Sequence, residues 1–486
     1  MIARLKQLLF QNKNARQTVV KNMFWLSFGQ IASRGIRAFI IIYSARLLGT
    51  TEYGIFSYAL SLAGFFTLFA DIGLSSILTR EVSRKPEEAS LYFSTAFWMK
   101  VVLLIFTALA VIFIAPYFSK IEGSKILLPL VAILVSFDNI REFCNAFFRG
   151  KEKMEREAFI TLLTNISIAV FGFFILYFYK SAFAITFSYI SSAGFGMVAA
   201  IFILKDEFVH IVRNFRKELV LAIFSSAWSI ALLGLLGVFI LSIDVVMLGW
   251  LRTASDVGLY SAGQRIVQVL YVLPSILAAS TFPALSRAIG KNNPTQVQNI
   301  IERTMAMTFF VALPLVTGGI ILGVPIMAFV FGNDYLPGAL TFQILIGTAL
   351  FVFPGTLIGN YILGHDRQRD IAKFAAIASV GNIVLNYIFI IPFGIAGAAL
   401  ATIIIQAFYN LFLWRFAKKV HNFHTLRHLK KIAIATVTMG VAALFMNIAG
   451  AHVLITIATS ILLYMGVLVA LKEKIMHEIL LVVRGI

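Results

Sequence analysis

Five cationic side chains of this 486-residue sequence stand where a charge is costly. Arg34, Arg37, Lys100, Arg141 and Arg265 all fall inside long apolar stretches. A charged group at the centre of a bilayer costs roughly 2.5–3.5 kcal/mol on insertion scales, so it must face protein or water. Arginine keeps its charge when buried and grips phosphate through paired hydrogen bonds. Ser27, Gln30, Arg34, Arg37 and Ser44 recur at helical spacing on one stripe, and so do Ser261, Gln264, Arg265 and Gln268. Such a lining suits an anionic head group that carries many hydroxyls. A cationic drug would favour acids and aromatics instead. The residues expected to contact substrate are therefore Arg34, Arg37, Arg265, Gln30, Gln264 and Gln268, with Lys100 and Arg141 beside them. Lys100, two turns into its stretch, could also snorkel to the surface.

The intramembrane acids form a second group. Asp71 ends a stripe that begins with Ser57, Ser61 and Gly64. It could pair with an arginine of the first helix. Asp244 lies near the end of its apolar stretch, where outer water could reach it. Asp138, Arg141 and Glu142 are spaced to compensate one another on a helix. Asp71, Asp138 and Asp244 are also the candidates for a gate or for a coupling ion, H⁺ or Na⁺. No coordination cluster names that ion.

Enzymatic signatures are missing from the sequence. There is no HExxH, GxxxxGK[ST] or GxSxG. The single cysteine, Cys144, rules out an internal disulfide and a multi-cysteine metal site. His421, His424 and His428 lie together in a basic connector and do not read as ligands. No catalytic residue, metal or cofactor is assigned, and the chain reads as a non-enzyme with no nucleic-acid partner.

The elements that position these residues follow from composition. Apolar residues make up 60% of the chain and charged residues only 13%, yet the formal net charge is +19. A soluble domain of this size could not hide so much apolar surface. A membrane helix takes roughly 20 apolar residues. About fourteen apolar stretches, from 22–46 to 451–471, are joined by short loops, which implies an all-α polytopic membrane protein. With the N-terminus in the cytoplasm, the outer loops hold only Arg46, Lys120, Lys125, Lys180 and Arg252. The basic residues Arg4, Lys6, Lys13, Arg16 and Lys21 then lie inside, as does most of the remaining charge. Both termini are placed in the cytoplasm. Trp25, Trp250 and Trp414 stand at span ends, as interfacial anchors do. Pro274, Pro283, Pro314, Pro325 and Pro354 are candidate kinks.

Two places in the chain resemble each other at an offset of six helices. Leu48-Gly49, Glu52, Tyr53-Gly54-Ile55-Phe56-Ser57 matches Leu248-Gly249, Asp256, Gly258-Leu259-Tyr260-Ser261. Phe148-Arg149-Gly150-Lys151 matches Ile362-Leu363-Gly364-His365. An even offset keeps orientation, so the repeat is parallel. It divides the chain into a basic N-terminus (1–21), an N-lobe of six helices (22–210), a C-lobe of six (211–420) and a final helix pair with its tail (421–486). Two lobes without a soluble domain point to alternating access around a shared cavity.

The junction Leu47-Leu48-Gly49-x-x-Glu52-Tyr53-Gly54-x-Phe56-Ser57-Tyr58-Ala59 resembles the polysaccharide transporter family. So does Ala70-Asp71-Ile72-Gly73-Leu74 followed by Arg80. These are flippases of lipid-linked oligosaccharides within the multidrug/oligosaccharidyl-lipid/polysaccharide exporter superfamily. The resemblance covers most of 20–415. It implies lobes arranged as a V around a central cationic cavity in the inner cytoplasmic membrane. It implies a polyprenyl-diphosphate-linked oligosaccharide carried from the inner to the outer leaflet, with its tail along the final helix pair or a lateral gap. Membrane lipids and other polysaccharide-assembly proteins are the partners it admits. The family motif does not fix Arg34, Arg37 or Arg265. The alternatives are a lipid II-type flippase, an ion-coupled multidrug exporter and, from another class, a membrane polysaccharide polymerase or ligase.

Overall fold

A computed structural model describes residues 15–291, 293–365, 367–420, 423, 429–473 and 476. Arg4, Lys6, Lys13, His421, His424 and His428 lie outside the described residues. The described residues are almost entirely helical, with no strand among them. The helices are α1 (Ala15–Asp71), α2 (Leu74–Arg84), α3 (Ala89–Leu109), α4 (Glu122–Gly150), α5 (Met154–Phe178), α6 (Ala182–Ile203) and α7 (Lys217–Leu251). They continue as α8 (Ala254–Leu270), α9 (Val272–Gly290), α10 (Pro294–Ile321), α11 (Gly323–Phe331), α12 (Ala339–Ile346) and α13 (Ala349–Leu363). The last three are α14 (Gln368–Val420), α15 (Leu429–Ile448) and α16 (Val453–Ala470).

Eleven stretches among the described residues are long and apolar enough to cross a bilayer. Two of them are long enough for two crossings, at 64 residues (Lys21–Arg84) and 52 residues (Arg369–Val420). Each contains a glycine that leaves helical geometry, Gly49 (φ 70°) in α1 and Gly394 (φ 57°) in α14. Gly49 falls between the stretches 22–46 and 54–79 that the sequence reads as separate helices, and Gly394 opens the stretch 394–414 that follows 370–391. A left-handed φ is open to glycine at little steric cost, so the chain can turn there without a loop. Proline acts more selectively. Helical structure is interrupted at Tyr271 and Leu322, three residues before Pro274 and Pro325. Pro283, Pro314 and Pro354 stay inside continuous helices.

The chain divides into two compact units, Met1–Gly258 and Leu259–Ile486. In the first, α1 packs along α5, and α6 packs on both α4 and α5. Its core gathers aromatic rings from two helices: Phe93 of α3 lies 4.7 Å from Phe147 and 5.4 Å from Phe143 of α4, centroid to centroid. In the second, α13 packs against α14 and α10 against α15. The final pair is tied in by Tyr464, whose hydroxyl donates to the Phe310 carbonyl at 2.8 Å. Large apolar side chains that are exposed, such as Phe106, Phe113, Phe174, Phe202, Phe445 and Leu462, recur throughout. So much exposed apolar surface suits a bilayer and not water.

Candidate functional site

The polar centre of the first unit is built at a break in a helix. α1 ends at Asp71. Ile72 (φ 36°) and Gly73 (φ 82°) both take left-handed geometry, and α2 restarts at Leu74. The Asp71 carboxylate therefore sits at an interruption, where side-chain donors from several elements can reach it. The Ser75 hydroxyl donates to its Oδ1 at 2.6 Å. Lys100 of α3 donates to the same oxygen at 2.5 Å and to Oδ1 of Asn139, on α4, at 3.0 Å. One lysine thus joins three chain segments.

Two further ion pairs follow along α4. Arg141 donates to Asp138 from Nη2 at 2.9 Å. Arg149 donates to Glu142 and, from Nε, to both oxygens of Glu157 at 3.0 Å. In the three pairs whose carboxylates border the cavity the carboxylate is the more exposed partner, whereas Glu157, at 12% against 30% for Arg149, is the less exposed one. Side-chain exposure is 31% for Asp71 against 1% for Lys100, and 42% for Asp138 against 9% for Arg141. It is 47% for Glu142 against 30% for Arg149. These side chains border a cavity of about 620 Å³ lined by Thr67, Asp71, Asp138, Asn139, Glu142 and Arg149 among others. The volume lies in the range of small-molecule sites. Among the described residues, no group of three or more His, Cys, Asp or Glu is placed to hold a metal ion.

The sequence places Lys100 and Arg141 in a cationic lining. Here both are buried behind carboxylates, and neither lines this cavity. Lys100 does not snorkel; it turns inward to Asp71. Asp71 takes that lysine as its ion partner and not an arginine of the first helix. Asp244 is fully buried, so outer water does not reach it. Ser27, Gln30, Arg34 and Arg37 are exposed on α1, as one stripe should be, whereas Ser44 is buried and turns back to the Ile40 carbonyl at 2.6 Å. Arg37 also donates to Oδ1 of Asn165 at 3.1 Å. In the second unit Gln264, Arg265 and Gln268 are half-buried, and Arg265 donates to Gln268 at 3.3 Å. The sequence reading missed Ser75, Asn139, Glu157 and Asn165. Only Asn139, beside Asp138, had a local signal.

The second unit holds cavities of the opposite character. One, of about 340 Å³, is walled by Leu270, Phe310 and Leu315 together with Met439, Ile461 and Met465 of the final helix pair. A second, of about 380 Å³, lies among Phe309, Phe351, Pro354 and Trp414.

A polar cavity held by α1, α2 and α4, in a chain of bilayer-length helices, agrees with what sequence comparison finds. Residues 19–289, more than half of the chain, match the family model described as "Polysaccharide biosynthesis protein". The chain belongs to that family. Residues 229–388 also match the MatE model. Among relatives, the "Probable low-salt glycan biosynthesis flippase Agl15" of Haloferax volcanii is 23% identical over 377 residues, covering 78% of this chain and 79% of the relative. The capsular polysaccharide biosynthesis protein CapF of Staphylococcus aureus is 20% identical over 413 residues, covering 83% of this chain and all of the relative. In fold, the chain is similar to a lipid II flippase MurJ in an inward closed conformation, with a TM-score of 0.72, 19% identity, and coverage of 93% of this chain and 100% of that one. It is also similar to an inward-facing multidrug resistance MATE family transporter, with a TM-score of 0.61, 17% identity, and coverage of 81% and 93%. The resemblance carried by residues 47–59 and by 70–74 with Arg80 is thereby borne out.

Proposed function

We propose that this polysaccharide biosynthesis protein moves a polyprenyl-diphosphate-linked oligosaccharide from the inner to the outer leaflet by alternating access. The observation that carries the reading is the pair of opposite chemistries in one membrane-embedded chain. The first unit offers a polar cavity and the second offers apolar ones. A lipid-linked sugar needs both, because its head cannot enter lipid and its tail gains nothing from water. The cavity beside α15 and α16 supports placing the tail along the final helix pair. Arg34 and Arg37 are exposed on α1 and are proposed to meet the diphosphate; Arg265 is proposed for the same chemistry within the second unit. The protein is proposed to lie in the cytoplasmic membrane with both termini inside, where the basic loops would meet anionic lipid. Asp71, Asp138 and Asp244 are the groups proposed for coupling to H⁺ or Na⁺.

Export of a surface glycan in cells that lack their own flippase tests this reading. The chain is expected to restore export, and Arg34→Ala with Arg37→Ala to abolish it at unchanged membrane abundance. Resistance to a cationic dye without glycan export would instead make the protein a drug exporter. Vesicle transport under imposed H⁺ and Na⁺ gradients tests coupling, and indifference to both would remove it.

A further inference from the structure

The ion pairs whose carboxylates line the first-unit cavity point the same way. Lys100 and Arg141 are buried behind Asp71 and Asp138, and Arg149 is shared between Glu142 and Glu157. The cations hold the carboxylates in place, while the carboxylate edges face the space. An ionised carboxylate only accepts hydrogen bonds, at about four lone-pair sites. Asn139 spends one of its two amide N–H donors on the Val135 carbonyl at 3.0 Å, and Ser75 spends its hydroxyl proton on Asp71. The cavity is therefore rich in acceptors, with Asp71, Asp138 and Glu142 against Arg149 as the one cation among the residues that line it.

Three ligand classes can be weighed against that surface. A phosphate or a sugar acid would bring negative charge onto Asp71, Asp138 and Glu142, and like charges in partial burial repel. A bare cation must compete with Lys100, Arg141 and Arg149, which already hold these carboxylates, and it brings no hydrogen-bond donor to their remaining lone pairs. A neutral sugar ring supplies hydroxyl donors around its whole edge and brings no charge to be repelled. The cavity volume of about 620 Å³ is ample for saccharide rings by the range of small-molecule sites.

We propose that this cavity is the sugar subsite, and that it selects neutral, polyhydroxylated rings over acidic ones. The proposal rests on the flippase reading above and narrows it. It assigns the sugar to Asp71, Asp138 and Glu142, apart from the arginines proposed for the diphosphate. Lys100 and Arg141 are positioning residues that keep the acceptors aimed outward.

The test uses the purified full chain in lipid nanodiscs and three lipid-linked disaccharides. They share one polyprenyl diphosphate and differ only in the terminal ring: a neutral hexose, the matching hexuronate or the matching amino sugar. The neutral probe is expected to bind at least about tenfold tighter than the hexuronate. Asp138→Asn with Glu142→Gln removes the repelling charge and should narrow that preference to under about threefold. Equal affinity of the unmodified chain for hexose and hexuronate overturns the proposal. So does a preference that survives the double substitution, or a strong preference for the cationic amino sugar. If a folded protein binds none of the three, the flippase reading itself falls, which is a separate outcome.

Discussion

Gly54 and Gly258 meet reciprocally where α1 and α8 approach within the first unit. A Cβ on Gly54 would stand 1.8 Å from the Ala254 carbonyl oxygen, and one on Gly258 would stand 2.0 Å from the Thr50 carbonyl oxygen. Each glycine thus faces the residue four places before the other. The Thr50 and Ser255 hydroxyls share a hydrogen bond of 2.8 Å beside the crossing. The obstructing atoms are backbone, which cannot swing away as a side chain would. Gly54→Ala and Gly258→Ala should each cost about 1–3 kcal/mol by overpacking, read as a lower thermal midpoint of the purified protein. Gly466→Ala is the contrast: nothing lies within 4 Å of its added Cβ. Within a helix that change should be neutral or stabilise by up to about 1 kcal/mol. Equal effects at the three positions would refute the close crossing.

The Lys100–Asp71 pair makes an asymmetric prediction. Lys100 is wholly buried and Asp71 is partly wetted. Asp71→Asn leaves a buried ammonium without its counter-charge, and breaking a buried pair in this way costs about 3–5 kcal/mol. Lys100→Met leaves an aspartate that still reaches the cavity, so it should cost less. The double substitution should recover part of the loss, because neither charge is then stranded. A double-mutant cycle on unfolding midpoints measures this. Strict additivity would mean that the two side chains do not depend on each other.

That pair also marks the boundary of what the sequence discloses. Hydropathy and the 3.6-residue period expose the all-helical membrane fold and the polar stripe of α1, because those are local properties. Gly49 and Gly394 likewise stand where the apolar runs meet. The partner of Lys100 lies 29 residues away on another helix. Nothing local distinguishes a lysine that snorkels from one that turns inward to an acid. Arg141 and Asp138 are legible as an i, i+3 pair, but which of the two faces the cavity depends on packing. The polarity of this first-unit cavity is set by that choice, which lies in packing and not in local sequence.

Glu52 reaches from α1 to the start of α6. Its Oε2 accepts from the backbone N–H of Ala182, the first residue of α6, at 2.7 Å. The first turn of a helix has unpaired N–H groups and a positive dipole end, so a carboxylate there is doubly favourable. Glu52→Ala should cost about 1 kcal/mol, as loss of a cap does. Glu52→Gln keeps an acceptor without the charge and should fall between. Hydrogen exchange at the start of α6 should rise in the same order, and no change in exchange would exclude the capping role.

Lys153, between α4 and α5, carries a pH signature. Partial burial comes first, and then the nearby charges of Arg156 and Lys151; together they hold its ammonium below the usual lysine range. The folded state therefore disfavours the protonated form that the unfolded chain prefers. The resulting penalty is fully present below the depressed folded value. It fades as pH rises from there toward the ordinary lysine value, where the unfolded chain also loses its proton. Lys153→Gln removes the penalty. It should raise the thermal midpoint at neutral pH, with a gain that shrinks as the buffer becomes more alkaline. High salt should shrink the gain too, since part of the penalty is repulsion between exposed charges. A lower midpoint at neutral pH, or a gain that grows with alkalinity, would show that Lys153 is held by a favourable partner instead.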